Sequence, residues 1–218
     1  MMSASPDNRI VLCDNHSNVL KTSEPKMSSL FDVVVSRDGR FVAACGFTAE
    51  VFVYEVTFDR ENVFQVSKRA FDLKGHDSGV FAVSFNASAS RAVTVSRDGF
   101  WGVFDTDVRY AQGQDAGILN KGEWPQLKGA SADRVRLAMS PSGESLEVSC
   151  GFTLKIFSSE DEHKDFPGLH DLHGDQRILV IKYSPCAQLE GSCGDHHVRV
   201  FRNIPEYHSQ VVRLSKVR

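Results

Sequence analysis

The sequence predicts an all-β fold, a propeller of short repeated sheets, on three observations. A short apolar run ending in a Ser or Asn turn recurs at intervals of 44 to 54 residues. Each copy is followed by two further short strands, the second with strict alternation of apolar residues. No run of ten or more residues keeps helical spacing. A small antiparallel sheet repeated at this period cannot bury its own faces, and stacking the copies around an axis solves that.

The first strand of the repeat is Val33-Val34-Val35-Ser36-Arg37-Asp38-Gly39. It returns as Ala82-Val83-Ser84-Phe85-Asn86, as Leu137-Ala138-Met139-Ser140-Pro141-Ser142-Gly143 and as Ile181-Lys182-Tyr183-Ser184-Pro185. The second strands are Phe41 to Cys45, Arg91 to Val95, Leu146 to Cys150 and Leu189 to Cys193. Three of them end alike, in Cys45-Gly46, Cys150-Gly151 and Cys193-Gly194, which puts the three cysteines at one small, inward position. The third strands pair Val51 with Val53, Trp101 with Val103, Leu154 with Ile156 and Val198 with Val200. They close on Tyr54, Phe104, Phe157 and Phe201. Weaker fourth strands are expected over Phe64 to Phe71, Gly117 to Lys121, Lys164 to Pro167 and Gln210 to Leu214. Asp7 to Asp14 reads as a third strand and Val19 to Thr22 as a fourth, so the N-terminal unit holds outer strands only. The expected divisions are a partial blade over 1–27, a blade over 28–74, a blade with a long insertion over 75–130, a blade over 131–172, and a last blade with a tail over 173–218. The chain then carries about four and a half blades of a seven-bladed ring.

Composition narrows the function. The 218 residues carry 41% hydrophobic and 24% charged side chains, which suits a globular domain. The net charge of −3 supplies no general basic field for a nucleic-acid backbone, and only a local patch could do so. No stretch approaches the roughly 18 apolar residues of a spanning helix, and Met1 to Asn8 lacks a signal-peptide core. Five cysteines, an odd number, fit reduced thiols in the cytosol. The sequons at Asn15 and Asn86 are of a kind common by chance.

A family resemblance enters with Gly75-His76, Asp98-Gly99 and Phe104-Asp105. This resembles the Gly-His … Asp … Trp-Asp signature of WD repeats, with Phe in place of Trp. In that family His, a Ser or Thr, Asp and Trp form a hydrogen-bonded set that ties a blade together. The resemblance assigns His76, Asp98 and Phe104 to one set, and His173, Asp195 and Phe201 to another in the last blade, where Arg202 stands in place of Asp. Phe104 has no indole N–H to contribute. Tyr54-Glu55 and Phe157-Ser158 are more degenerate copies.

A closer match runs from about residue 28 to 207. Arg69-Ala70-Phe71-Asp72-Leu73-Lys74-Gly75-His76, Val95 to Val108 and Ser192 to Phe201 resemble the transducin beta-like protein 2 family. The resemblance implies a seven-bladed propeller with an N-terminal membrane anchor. It further implies residence at the endoplasmic reticulum and association with a stress-signalling kinase there. This chain, without the anchor and first blades, reads as the C-terminal portion of such a protein and, for want of the anchor, as cytoplasmic. An open arc of that kind is expected to expose apolar end faces and to associate.

Chemical sites are sparse. Gly75-His76-Asp77-Ser78-Gly79 has its serine misplaced for a hydrolase elbow. His170, His173, Cys186, Cys193, His196 and His197 lack the compact pairs that zinc prefers. No phosphate loop leads from a strand into a helix, and no catalytic residue, cofactor or metal is expected. Two insertions are the candidate partner-binding loops: Thr57 to Ala70, with Arg60, and Thr106 to Arg134, with Tyr110, Trp124 and Lys128. The expected function is a non-enzymatic scaffold for protein partners, with an RNA- or ribosome-associated propeller as the alternative.

Overall fold

The computed structural model describes residues 2–5, 7–14, 16–61, 63–161, 172–186, 188–202 and 212–213. They form five antiparallel sheets. Blade I is β1 (Met2–Ser5), β2 (Arg9–Cys13) and β3 (Val19–Ser23). Blade II is β4 (Leu30–Val35), β5 (Phe41–Gly46), β6 (Val51–Phe58) and β7 (Phe64–Leu73). Blade III is β8 (Val80–Phe85), β9 (Arg91–Ser96), β10 (Phe100–Asp105) and β11 (Gly117–Glu123). Blade IV is β12 (Val135–Met139), β13 (Ser145–Cys150) and β14 (Thr153–Ser158). Blade V is β15 (Val180–Tyr183), β16 (Leu189–Gly194), β17 (His197–Arg202) and β18 (Val212–Arg213). Strands within each sheet neighbour one another in chain order. The described residues contain no α-helix, only single 3₁₀ turns at Tyr110–Gln112, Pro125–Leu127 and Ala132–Arg134.

One recurring residue starts each of four blades in the same way. Ser36 Oγ accepts the Phe41 N–H at 2.8 Å, Asn86 Oδ1 accepts Arg91 N–H at 3.0 Å, Ser140 Oγ accepts Ser145 N–H at 3.1 Å and Ser184 Oγ accepts Leu189 N–H at 3.0 Å. Short polar side chains bond nearby backbone readily, and here they close the turn that sends the second strand back along the first. Gly39, at φ 76, and Gly143, at φ 82, take the left-handed residue of two of these turns.

The core is divided into seams between blades. Ile10 of blade I meets Met27, Ala44 and Phe52 of blade II or its approach. Phe41, Ala43, Cys45, Val51 and Val53 of blade II meet Val80, Val83, Ala92 and Phe104 of blade III. Val93, Val95, Trp101 and Val103 of blade III meet Val135, Leu146, Val148 and Phe157 of blade IV. Ala138 and Leu154 of blade IV meet Ile178, Ile181 and Phe201 at blade V. Side chains alternate along a strand, so each central strand feeds both of its seams. Tyr54, Phe104, Phe157 and Phe201 each pack back on the preceding blade. Trp101 lies so close to Gly122 that a Cβ there would sit 2.2 Å from its ring.

Three details depart from the sequence expectations. The N-terminal unit has three strands, because Met2–Ser5 pairs with Arg9–Leu12. That segment carries no alternating apolar pattern, so periodicity could not reveal it. Thr57 to Ala70 forms no interrupting loop. It continues β6 and β7 into a long hairpin. Cys150 does not share the position of Cys45 and Cys193. The turn before β13 holds one more residue ahead of the Leu-Glu pair, so Ser145 occupies the place of Phe41, Arg91 and Leu189. A slip of one residue turns every side chain to the other face, and the Cys150 thiol instead approaches the Gln126 carbonyl at 3.3 Å. The fourth strand expected over residues 164–167 lies outside the described residues, as does His170.

Phe157 packs on two rings, with centroids 5.3 Å from Trp101 and 6.0 Å from Trp124, in the III–IV seam. Phe157→Ala is expected to lower stability by about 3–5 kcal/mol in urea unfolding.

Candidate docking surface

Two polar sets anchor the ends of blades III and V. In blade III, His76 lies just before β8 with its ring buried. Its Nδ1 donates to Asp98 Oδ2 at 3.1 Å, since an ionised carboxylate only accepts, and its Nε2 then accepts from the Thr94 hydroxyl at 2.7 Å. Asp98 also accepts the N–H of Asp77 at 2.9 Å and of Phe100 at 3.0 Å. Burial opposes the charge on Asp98, but the hydrogen bonds from His76 and these two amides outweigh it and hold the carboxyl well below its ordinary range. Phe104, fully buried, adds apolar contact to the II–III seam and no hydrogen bond.

Blade V repeats the arrangement. His173 Nδ1 donates to Asp195 Oδ1 at 2.5 Å, and Nε2 accepts from the Ser192 hydroxyl at 3.0 Å. Arg199 grips the same carboxylate with both arms, at 2.8 and 3.0 Å. The Arg199 fork, opposed by burial and joined by His173, holds Asp195 well below the usual carboxylate range. The two-residue turn Asp195–His196 has φ of 43° and 62°, a left-handed pair that usually calls for Asn or Gly. The bonds on Asp195 hold it. Phe201 is buried in the IV–V seam. The hydroxyl members of these sets, Thr94 and Ser192, were not assigned from sequence, although each sits on the second strand of its blade.

The inserted segments are mostly turned inward. Tyr110 crosses from blade III to blade II, where its hydroxyl donates to Glu55 and accepts from Arg40 Nη2 at 2.6 Å. Its ring packs on Phe41 at 5.9 Å and Phe71 at 5.8 Å. Burial works against the charge on Glu55, and the Tyr110 and Arg40 bonds overcome it and lower its pKa. Trp124 is buried in the III–IV seam, and its backbone N–H donates to the Gly99 carbonyl at 2.8 Å. Lys128 reaches Glu123 at 2.6 Å, with its stem over Gly99. Arg60 is exposed at the tip of the β6–β7 hairpin.

Large apolar side chains are exposed in several places, Val19, Val63 and Leu119 among them, and one rim brings three together. In an up-and-down sheet, the turns between second and third strands and the approaches to first strands share one rim. That rim carries Phe47, 52% exposed, Phe152, 51% exposed, and Leu179, 49% exposed. The Arg97 guanidinium stands 5.9 Å from the Phe47 ring centroid, and Phe31 braces Phe47 edge-on at 6.2 Å. Phe31 in turn stacks on buried Phe81 at 6.3 Å. Below the rim, β4, β8, β12 and β15 line a channel of about 600 Å³. Asp32 lies in it and accepts the N–H groups of Val33 at 2.9 Å and Val83 at 3.3 Å. The second of these bonds ties blade II to blade III. Burial raises its pKa, with those bonds and the charges of Lys182 and Arg136 opposing.

Comparison with known proteins agrees with this geometry. Residues 67–105, from β7 through β10, match the WD40 family, described as WD domain, G-beta repeat. The chain is 34% identical over 214 residues to transducin beta-like protein 2 of Homo sapiens, an alignment that covers 98% of this chain and 47% of that protein. It is 33% identical over 217 residues to transducin beta-like protein 2 of Mus musculus, covering 100% and 48%. The chain carries a WD repeat. Its five sheets are an incomplete WD-repeat propeller, and it spans about half the length of the curated relatives it matches. WD-repeat architecture is that of a protein-interaction scaffold. No helix among the described residues is long and apolar enough to cross a membrane.

The depressed carboxyls fix the sign of an acid effect. A carboxylate whose pKa falls on folding stabilises above its unfolded value and loses that contribution as pH drops. Acid unfolding of the WD-repeat chain is therefore expected to steepen below about pH 4. Asp98→Asn should cost about 1.5–3 kcal/mol at pH 7 and flatten that limb, as followed by circular dichroism across a pH series.

Proposed function

We propose that the chain is a non-enzymatic WD-repeat adaptor and that the rim bearing Phe47, Arg97, Phe152 and Leu179 is its docking face for a protein partner. The observation that carries this reading is Phe47, half-exposed and flanked by Arg97 and Phe31. A large ring kept in place before binding gives up little freedom on contact, and aromatic and Arg side chains are the usual anchors of interfaces. The family resemblance read in the sequence extends the proposal to the endoplasmic-reticulum membrane and to a complex with a stress-signalling kinase. The same resemblance supports it, and it concerns the longer protein.

Affinity capture with this chain and with a full-length relative, at low and high salt, tests the reading. Phe47→Ala and Arg97→Ala are each expected to weaken capture of the shared partner by about tenfold or more. Arg37→Ala, on the opposite rim, should leave it unchanged. Retention little altered by salt fits a protein partner. Binding that collapses steeply with salt and is lost on nuclease treatment would favour the RNA reading instead.

A further inference from the structure

We propose that the seam between blades IV and V is closed by a proton shared between two buried carboxyl groups, Glu147 and Glu190, and that it loosens when that proton leaves for solvent. The placement follows from register alone. Glu190 pairs with Phe201 and sits at the position of Val42, Ala92 and Leu146, which faces the preceding blade. Glu147 sits at the position of Ala43 and Val93, which faces the following blade. The two side chains therefore point at each other across one seam. The hexapeptides that carry them, Leu146-Glu147-Val148-Ser149-Cys150-Gly151 and Leu189-Glu190-Gly191-Ser192-Cys193-Gly194, differ at one residue. Only the extra residue in the turn before β13 turns the first glutamate toward the second.

Both carboxyl groups are buried, at 1% and 2% exposure, and face the same seam from its two sides. Two carboxylates cannot bond directly, since each only accepts, so a bond between them requires a proton. The neighbouring groups suit that state. From β15 comes the Tyr183 hydroxyl, which also reaches the Ser145 hydroxyl of Glu147's own strand at 3.3 Å. Four described cations of the two blades are directed elsewhere. Arg136 donates to the carbonyls of Ala132, Val135 and Leu179, and Arg199 grips Asp195. Lys155 stands 4.8 Å over the Phe157 ring, on the opposite face of the sheet. Lys182 is exposed at the channel. Burial first, then the bond and charge of Glu190, push the Glu147 carboxyl well above its ordinary range, and burial with the Glu147 charge pushes Tyr183 up as well.

The sign is opposite to that at Asp98 and Asp195. A carboxyl whose pKa rises on folding contributes fully below its unfolded value, near 4.5. That contribution falls as pH climbs toward the folded pKa, by up to about tenfold in the folding constant per pH unit. Glu147→Gln keeps a donor facing Glu190 and removes the titration. Urea midpoints from pH 5 to 9 should decline more steeply for the parent chain than for Glu147→Gln, with the variant the more stable at the alkaline end. Equal slopes would overturn the proposal. So would a Glu147→Gln chain that folds and is less stable at pH 9 than the parent. Infrared spectra of the unaltered chain at neutral pH give a test that needs no variant. A carbonyl stretch of a protonated carboxyl is expected, and its absence would sink the idea.

Discussion

Every feature of this chain answers to one constraint: a sheet of three or four short strands cannot cover its own faces. The central strands of blades II to IV are buried on both sides, so each blade is half of two separate interiors. Stability in such an array comes from nearest-neighbour seams rather than from one common core. The apolar residues of β5, β9 and β13 therefore read as near-continuous small and branched runs, because alternate residues serve different neighbours. The exposed rim and the channel beneath it are what remains once the seams are filled.

The polar devices sit where the seams cannot help. The His76 and His173 sets fasten strand ends, where backbone amides would otherwise lie unpaired at the edge of an apolar layer. Asp32 does similar service inside the channel by taking an amide from each of two blades. In each case a charge is tolerated because several donors converge on it. At the IV–V seam the proposed solution is the opposite: two acids meet, and the proton between them removes one of the two charges.

Much of the fold was legible in the sequence because the turn residue at Ser36, Asn86, Ser140 and Ser184 carries a single job in four blades. Strand order and seam aromatics followed from it, and the His–Asp partners from the resemblance to WD repeats. Register did not. The near-identical hexapeptides around Glu147 and Glu190 suggest equivalent positions, and the extra turn residue that separates them looks like surface variation. Tyr110 and Trp124 occupy non-repeat sequence, where packing on the blade and exposure to a partner were both open, and each finds an apolar seam within reach. Phe47 and Phe152 gave a signal that went unused: each follows a glycine, in the turn between second and third strands, where a polar residue is expected. Met2–Ser5 is held by backbone pairing that no side-chain pattern announces.

The Tyr110 crossing adds a mechanical tie between blades. Blades II and III share their apolar seam, the Asp32 amide bond and a strap whose hydroxyl is held by both Arg40 and Glu55. Adjacent units bound that many ways separate together or not at all. Blades III and IV are tied likewise, by Arg91 to the Gly143 carbonyl, Asn120 to the Ser159 carbonyl and the Met139 N–H to the Ser84 hydroxyl, so a pull on one blade of this stretch is handed on to the next.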